Sequence, residues 1–294
     1  MTILLTGATG FIGRRLLPLL AQHDEVVAVA RRAPPDAVAG SATWLLQDLA
    51  AGLDPTRLPA RVDTVVHLAQ SERYRDFPEG AADVVAVNVD AVAALLDYSR
   101  AAAARRFVLC STGGVYGFRA APAHETAAVA PDGFYAASKY AAEVLLAPYR
   151  ALLETVVLRP FFVYGPGQRG MLVGGLAERV LRGEPVTIAG DPGLRVNPIH
   201  VDDAAIAIAA AARAEDAIDV VNIAGDETVT VRDIAARLAL AAQVEPTIVH
   251  AGEGPPGDLL GDNERMRRLL GVTPRVALDE GLSGVVAALR GGNR

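Results

Sequence analysis

The sequence predicts an α/β fold, a doubly wound parallel sheet with a smaller C-terminal substrate-binding region, on three observations. Short apolar, β-branched runs alternate with helical patterns through the first half of the chain. The first of these runs leads straight into a glycine-rich turn. The alternation stops after about Arg159, where glycine and proline become dense. Strands that are apolar along their whole length belong to parallel sheets covered on both faces.

The strand candidates are Ile3 to Thr6, Glu25 to Ala30, Thr43 to Leu46, Thr64 to Leu68, Phe107 to Ser111 and Thr155 to Leu158. Helical periodicity fills Phe11 to Ala21 and Asp83 to Ala103. A further strand, Asp219 to Ile223, follows the glycine- and proline-rich stretches Tyr164 to Gly175 and Gly190 to Pro198. The tail from Gly252 to Pro274 reads as loop with one short helix near Glu264 to Leu270. The expected division is a dinucleotide-binding domain over residues 1–164 and about 197–224, and a substrate-binding region over 165–196 and 225–294.

Composition bounds the function. The chain has 294 residues, 51% hydrophobic and 21% charged, which excludes a disordered chain. The net charge of -6 leaves no basic footprint for nucleic acid. No apolar run approaches the roughly 18 residues of a membrane span, and the N-terminal residues lack a signal-peptide pattern. The single cysteine, Cys110, excludes an intrachain disulfide and fits a reducing, cytoplasmic compartment. His23, His67, His124, His200 and His250 are scattered, and no metal site is expected.

Thr6-Gly7-Ala8-Thr9-Gly10-Phe11-Ile12-Gly13 joins the first strand to the first helix. A pyrophosphate needs backbone N–H groups at close range and a helix N-terminus aimed at it, and side chains at these glycines would block that approach. Gly7, Thr9, Gly10, Phe11 and Ile12 are therefore candidate cofactor-binding positions in a Rossmann-type sheet. The second strand ends in Ala30-Arg31-Arg32, with no acid to hold a ribose 2′-hydroxyl. A 2′-phosphate suits a guanidinium fork, so Arg31 and Arg32 point to NADP, with NAD as the alternative.

Tyr135 and Lys139 stand at i and i+4 and share a helix face. Lys139 is the one lysine of the chain. A nearby cation favours the phenolate and lowers a tyrosine pKa from about 10. The pair follows Val108-Leu109-Cys110-Ser111-Thr112, a strand that ends in hydroxyls where a parallel sheet places its chemistry.

Together these motifs resemble an extended short-chain dehydrogenase/reductase of the nucleotide-sugar epimerase/dehydratase group. The resemblance runs over nearly the whole chain. It includes Asp48-Leu49, His67-Leu68-Ala69, Asn88, Ser111 to Gly117, Leu158 to Gly167, His200 to Asp203 and Leu269 to Pro274. It implies Tyr135 as general acid/base, Lys139 on the nicotinamide ribose, and Thr112, or less directly Ser111, orienting the substrate oxygen. It implies Asp48 and Leu49 beside the adenine, Leu68 and Ala69 along the cofactor, and a homodimer through the helices around Asp83–Ala103 and Tyr135–Leu153.

The departures concern substrate. Gly113-Gly114 replace the acidic pair of sugar dehydratases, which argues against 4,6-dehydration. Phe162 stands where nucleotide-sugar enzymes often have asparagine. Arg195 is out of register for the usual diphosphate arginine, and Pro255 precedes Pro256-Gly257-Asp258 where another arginine is common. Arg169 and Arg195 remain candidate diphosphate partners, and Phe161, Phe162 and Pro198 suggest a more apolar pocket. The expected activity is hydride transfer between a nicotinamide cofactor and a secondary alcohol or ketone of a sugar-like, possibly nucleotide-linked, small molecule. A nucleotide-sugar epimerase with tightly bound NAD and a non-catalytic cofactor-sensing protein are the alternatives.

Overall fold

A computed structural model describes residues 1–291 except Pro35, Pro192 and Pro256. Pro256 of the Pro-Gly-Asp stretch thus lies outside the described residues. The strands are β1 (Thr2–Thr6), β2 (Glu25–Ala30), β3 (Thr43–Leu46), β4 (Thr64–His67), β5 (Arg106–Cys110), β6 (Glu154–Pro160), β7 (Val163–Tyr164), β8 (Val186–Ile188), β9 (Arg195–Val196), β10 (Ile199–His200), β11 (Val220–Ile223), β12 (Val229–Thr230) and β13 (Ile248–His250). The helices are α1 (Gly13–Ala21), α2 (Asp36–Ala39), α3 (Ala81–Val85), α4 (Ala91–Ala101), α5 (Phe134–Leu146), α6 (Leu172–Leu181), α7 (Val201–Arg213), α8 (Val231–Ala242), α9 (Glu264–Leu270) and α10 (Leu278–Gly291).

Seven strands form the central sheet in the order β11-β6-β5-β4-β1-β2-β3, and every pairing is parallel. The order reverses direction between β1 and β4, the switch point at which such sheets hold ligands. Apolar residues cover both faces. Leu16, Leu17 and Leu20 of α1, with Ala204 and Ile208 of α7, pack on one face. Val92, Leu95 and Leu96 of α4, with Ala142 and Leu146 of α5, pack on the other. A separate core joins α6, α8 and α10 with β8, and includes Leu176, Ile234, Leu238 and Leu282. Among the described residues no helix is long and apolar enough to cross a membrane.

Two helices differ from the sequence expectation. The segment expected as one helix over Asp83–Ala103 begins at Ala81, ends at Ala101, and carries a π-helical turn at Ala86–Asp90. One extra residue in a turn leaves the apolar periodicity nearly unchanged, so the pattern does not reveal it. The helix expected to reach Leu153 ends at Leu146 and continues as a 3-10 turn over Ala147–Ala151, with Pro148 at its start. Proline lacks the N–H that would continue the α-helical ladder.

Candidate active site

The β1–α1 turn is shaped by close backbone approach. Gly7 has φ +74°, and a Cβ there would lie 2.7 Å from the Ala69 nitrogen. A Cβ on Gly13 would lie 2.1 Å from the Gly7 carbonyl oxygen, so only glycine lets α1 start this near β1. The Gly10 N–H donates to the Gly7 carbonyl at 2.9 Å, and the Thr9 carbonyl accepts from Arg14 Nε at 2.7 Å. No side chain caps α1. A helix start without a capping side chain, reached over bare glycines, fits a pyrophosphate. Thr9, Phe11 and Ile12 are half-buried around it, and Leu68 and Ala69 close it from the loop after β4.

The ribose end departs from expectation. Arg31 NH2 forms an ion pair with Glu72 Oε1 at 2.9 Å. Glu72, then Asp48 and Asp83, raise the Arg31 pKa, while its slight burial opposes them. The guanidinium expected to receive a 2′-phosphate is already matched by a carboxylate, with two more acids nearby. Arg32 is exposed. Asp48 caps the 3-10 turn at Leu49–Ala51 by accepting from the Ala50 N–H at 3.0 Å, and Leu49 is buried.

Tyr135 and Lys139, the candidate catalytic pair, both lie on α5. α5 buries Ser138, Lys139, Ala142 and Glu143. The Tyr135 hydroxyl donates to Gln70 Oε1 at 2.9 Å, and the Tyr135 ring lies 5.1 Å from that of Tyr74. Burial pushes the Tyr135 phenol up, Cys110 and Tyr74 add to the shift, and a hydrogen bond with Thr112 opposes it. The expected lowering by Lys139 does not appear. Lys139 is 2% exposed, and burial lowers its own pKa against the opposing pull of Cys110 and Glu143. The Thr112 hydroxyl accepts the Gly114 N–H at 3.1 Å.

Buried side chains hold this face in place. Asn88, in the π-helical turn, accepts from the Ser71 N–H at 3.0 Å and donates to Ser138 Oγ at 3.0 Å. Ser138 in turn donates to the Tyr135 carbonyl at 2.8 Å. The Ser111 hydroxyl donates to Glu143, which also accepts from Arg159 NH2 at 2.6 Å and Arg159 Nε at 3.1 Å. The structure thus ties Ser111 to the α5–β6 junction through Glu143. Gln70, Glu72, Tyr74, Glu143 and Arg159 were not singled out from sequence. Two carried a signal: Gln70 follows His67-Leu68-Ala69, and Arg159 lies within the Leu158 to Gly167 motif.

His67 ends β4 beneath the pair. Thr6 Oγ1 accepts from the Ala69 N–H at 3.3 Å and shares a hydrogen bond with His67 Nδ1 at 2.8 Å. His67 Nε2 has no partner among the described residues. Burial, and secondarily Lys139, push the pKa down from 6.5 to about 3. The unfolded chain binds this proton at higher pH than the fold does, so stability present above pH 6.5 is lost as pH falls toward 3. The loss should approach roughly 4–5 kcal/mol. Urea melts from pH 7 to pH 4 should show about 3 kcal/mol of it, and His67→Gln should flatten that slope.

The substrate-side candidates are dispersed. Arg195, half exposed, is bound to Asp258 through Nε at 2.9 Å. Arg169 is exposed in the loop after β7. Phe162 has φ +44°, a left-handed conformation that a bulky residue adopts only under constraint from its surroundings. Its ring packs between the third core and a small cluster around Tyr116 and Phe161. The Phe161 ring fills the space beside Gly113, where a Cβ would approach it to 2.6 Å.

The NAD dependent epimerase/dehydratase family matches residues 3–224. The chain belongs to that family. It is 32% identical over 320 residues to the UDP-glucose 4-epimerase of Mycolicibacterium smegmatis, covering 99% of each chain. It is 35% identical over 242 residues to a 3-diazoavenalumate denitrifying reductase of a Streptomyces species, covering 77% of each. Its structure is similar to that of Thermus thermophilus UDP-glucose 4-epimerase in complex with NAD, with TM-score 0.85, 30% identity and 99% of each chain covered. The parallel sheet and glycine turn expected from sequence are thus those of the family.

Proposed function

We propose that this epimerase/dehydratase-family protein transfers a hydride between NAD and a secondary alcohol or ketone of a sugar-like substrate. The observation that carries this reading is that Tyr135 meets Gln70 and Thr112, with the buried Lys139 one helical turn on, in a fold whose first turn is shaped for a dinucleotide. Bound NAD would supply the hydride acceptor and donor. The β1–α1 turn would hold its pyrophosphate, and Lys139 its nicotinamide ribose. The Tyr135 phenol, kept protonated near neutrality by burial, is suited to donate its proton to a carbonyl oxygen. Thr112 would hold that oxygen by a second hydrogen bond. Gly113 and Gly114 offer no acid for eliminating water, so net dehydration is not part of the proposal.

Epimerisation, in which the hydride returns to the opposite face of the same substrate, is a second reading. The carboxylates around Arg31 favour it, because they suit NAD and weaken the case for an NADP-linked reductase. The deciding measurement is to denature protein purified without added cofactor and identify the released nucleotide by mass and stoichiometry. Near-stoichiometric NAD, with interconversion of sugar epimers, is expected for internal redox. Cofactor-free protein that oxidises or reduces a substrate with added NAD would identify net transfer. Release of NADP would overturn the cofactor assignment.

A further inference from the structure

We propose that Glu72 sets the preference of this site for NAD over NADP by holding Arg31 and placing a negative charge at the ribose end. The inference rests on the reading that the chain binds a nicotinamide dinucleotide. Arg31 directly follows β2, at the edge of the crevice where a doubly wound sheet receives the adenosine ribose. Ala30 leaves that strand end without the acid that usually contacts a ribose 2′-hydroxyl. The acid arrives from another direction. β4 lies next to β1, and β1 next to β2. The loop after β4 crosses the glycine turn, where Ala69 approaches Gly7, and carries Glu72 to Arg31 at 2.9 Å.

The neighbouring anchors make this crossing specific. Ser71 is 2% exposed; its N–H donates to Asn88, its hydroxyl donates to Asp83, and its oxygen accepts the Arg73 N–H at 3.0 Å. Glu72 is thus delivered from a fixed backbone position. The Arg31 and Glu72 side chains are 41% and 76% exposed, so the pair contributes little to fold stability. Its effect falls on charged ligands instead. A 2′-phosphate brings up to two negative charges to a guanidinium already matched by Glu72, with Asp48 and Asp83 close behind. A 2′-hydroxyl meets no such repulsion.

Fluorescence titration with NADH and NADPH tests this without a turnover assay. Wild type should bind NADH more tightly, and the difference should shrink with added salt. Glu72→Gln should tighten NADPH about tenfold and change NADH little, since removing one charge at contact distance is worth about one decade. Glu72→Gln combined with Arg31→Ala should lose that gain, because the released guanidinium is what receives the phosphate. An unchanged NADH-to-NADPH ratio in Glu72→Gln, while NADH still binds, would overturn the role of Glu72 alone. Tighter NADPH binding by wild type would overturn it as well. Failure of folded wild type, first shown to be free of nucleotide, to bind either one would overturn the dinucleotide-binding reading beneath it.

Discussion

Tyr135→Phe is expected to lower turnover about 10²- to 10⁴-fold, the range for removing a positioned general acid/base. The phenol oxygen is the group that Thr112 and Gln70 both meet, and the ring keeps its tilted contact with Tyr74 without it. NADH binding and thermal stability should therefore change little. The contrast between lost turnover and retained binding distinguishes proton transfer from mere packing. Tyr135→Phe protein with full turnover would remove Tyr135 from the mechanism.

Glu143→Ala is expected to destabilise the fold by about 3–5 kcal/mol, since it strands the Arg159 guanidinium in a buried position. Arg159 is 5% exposed, and its NH1 already has no hydrogen-bond partner among the described residues. The guanidinium also lies over the Tyr116 ring, 4.7 Å from its centroid, which limits how far it can move away. Replacing both partners, as Glu143→Leu with Arg159→Met, should recover most of the stability in a urea melt, because apolar groups leave no unpaired charge. Turnover should recover less than stability. Glu143 sits one helical turn beyond Lys139 and ties α5 to β6, and the double variant removes that tie.

The sheet was legible because its signals are local. Whole-strand apolarity at Leu4, Val27 and Val108 reflects burial on both faces, and Gly7 and Gly13 mark a turn where a Cβ has no room. Tyr135 and Lys139 were legible for the same reason, since i,i+4 spacing on a helix is readable without a fold. The ribose end was not. Arg31 and Glu72 meet only because β4 is two strands from β2 in the sheet, and spacing along the chain does not encode that neighbourhood. Arg31 alone looks like a free cation and suggests a phosphate; with its partner it suggests the reverse. The partner of Ser111, a carboxylate on α5, is hidden from the sequence in the same way. Phe162 gives no local sign of its left-handed backbone, since phenylalanine rarely adopts one.

Lys139 also gives the molecule a built-in clock. It is the one lysine in the chain, and it is buried within α5. A lysine-specific protease therefore has a single peptide bond to cut, and that bond is protected until α5 opens. The appearance of the two fragments would measure how often this helix departs from the sheet, and slower cleavage with nucleotide present would measure how firmly the ligand clasps it.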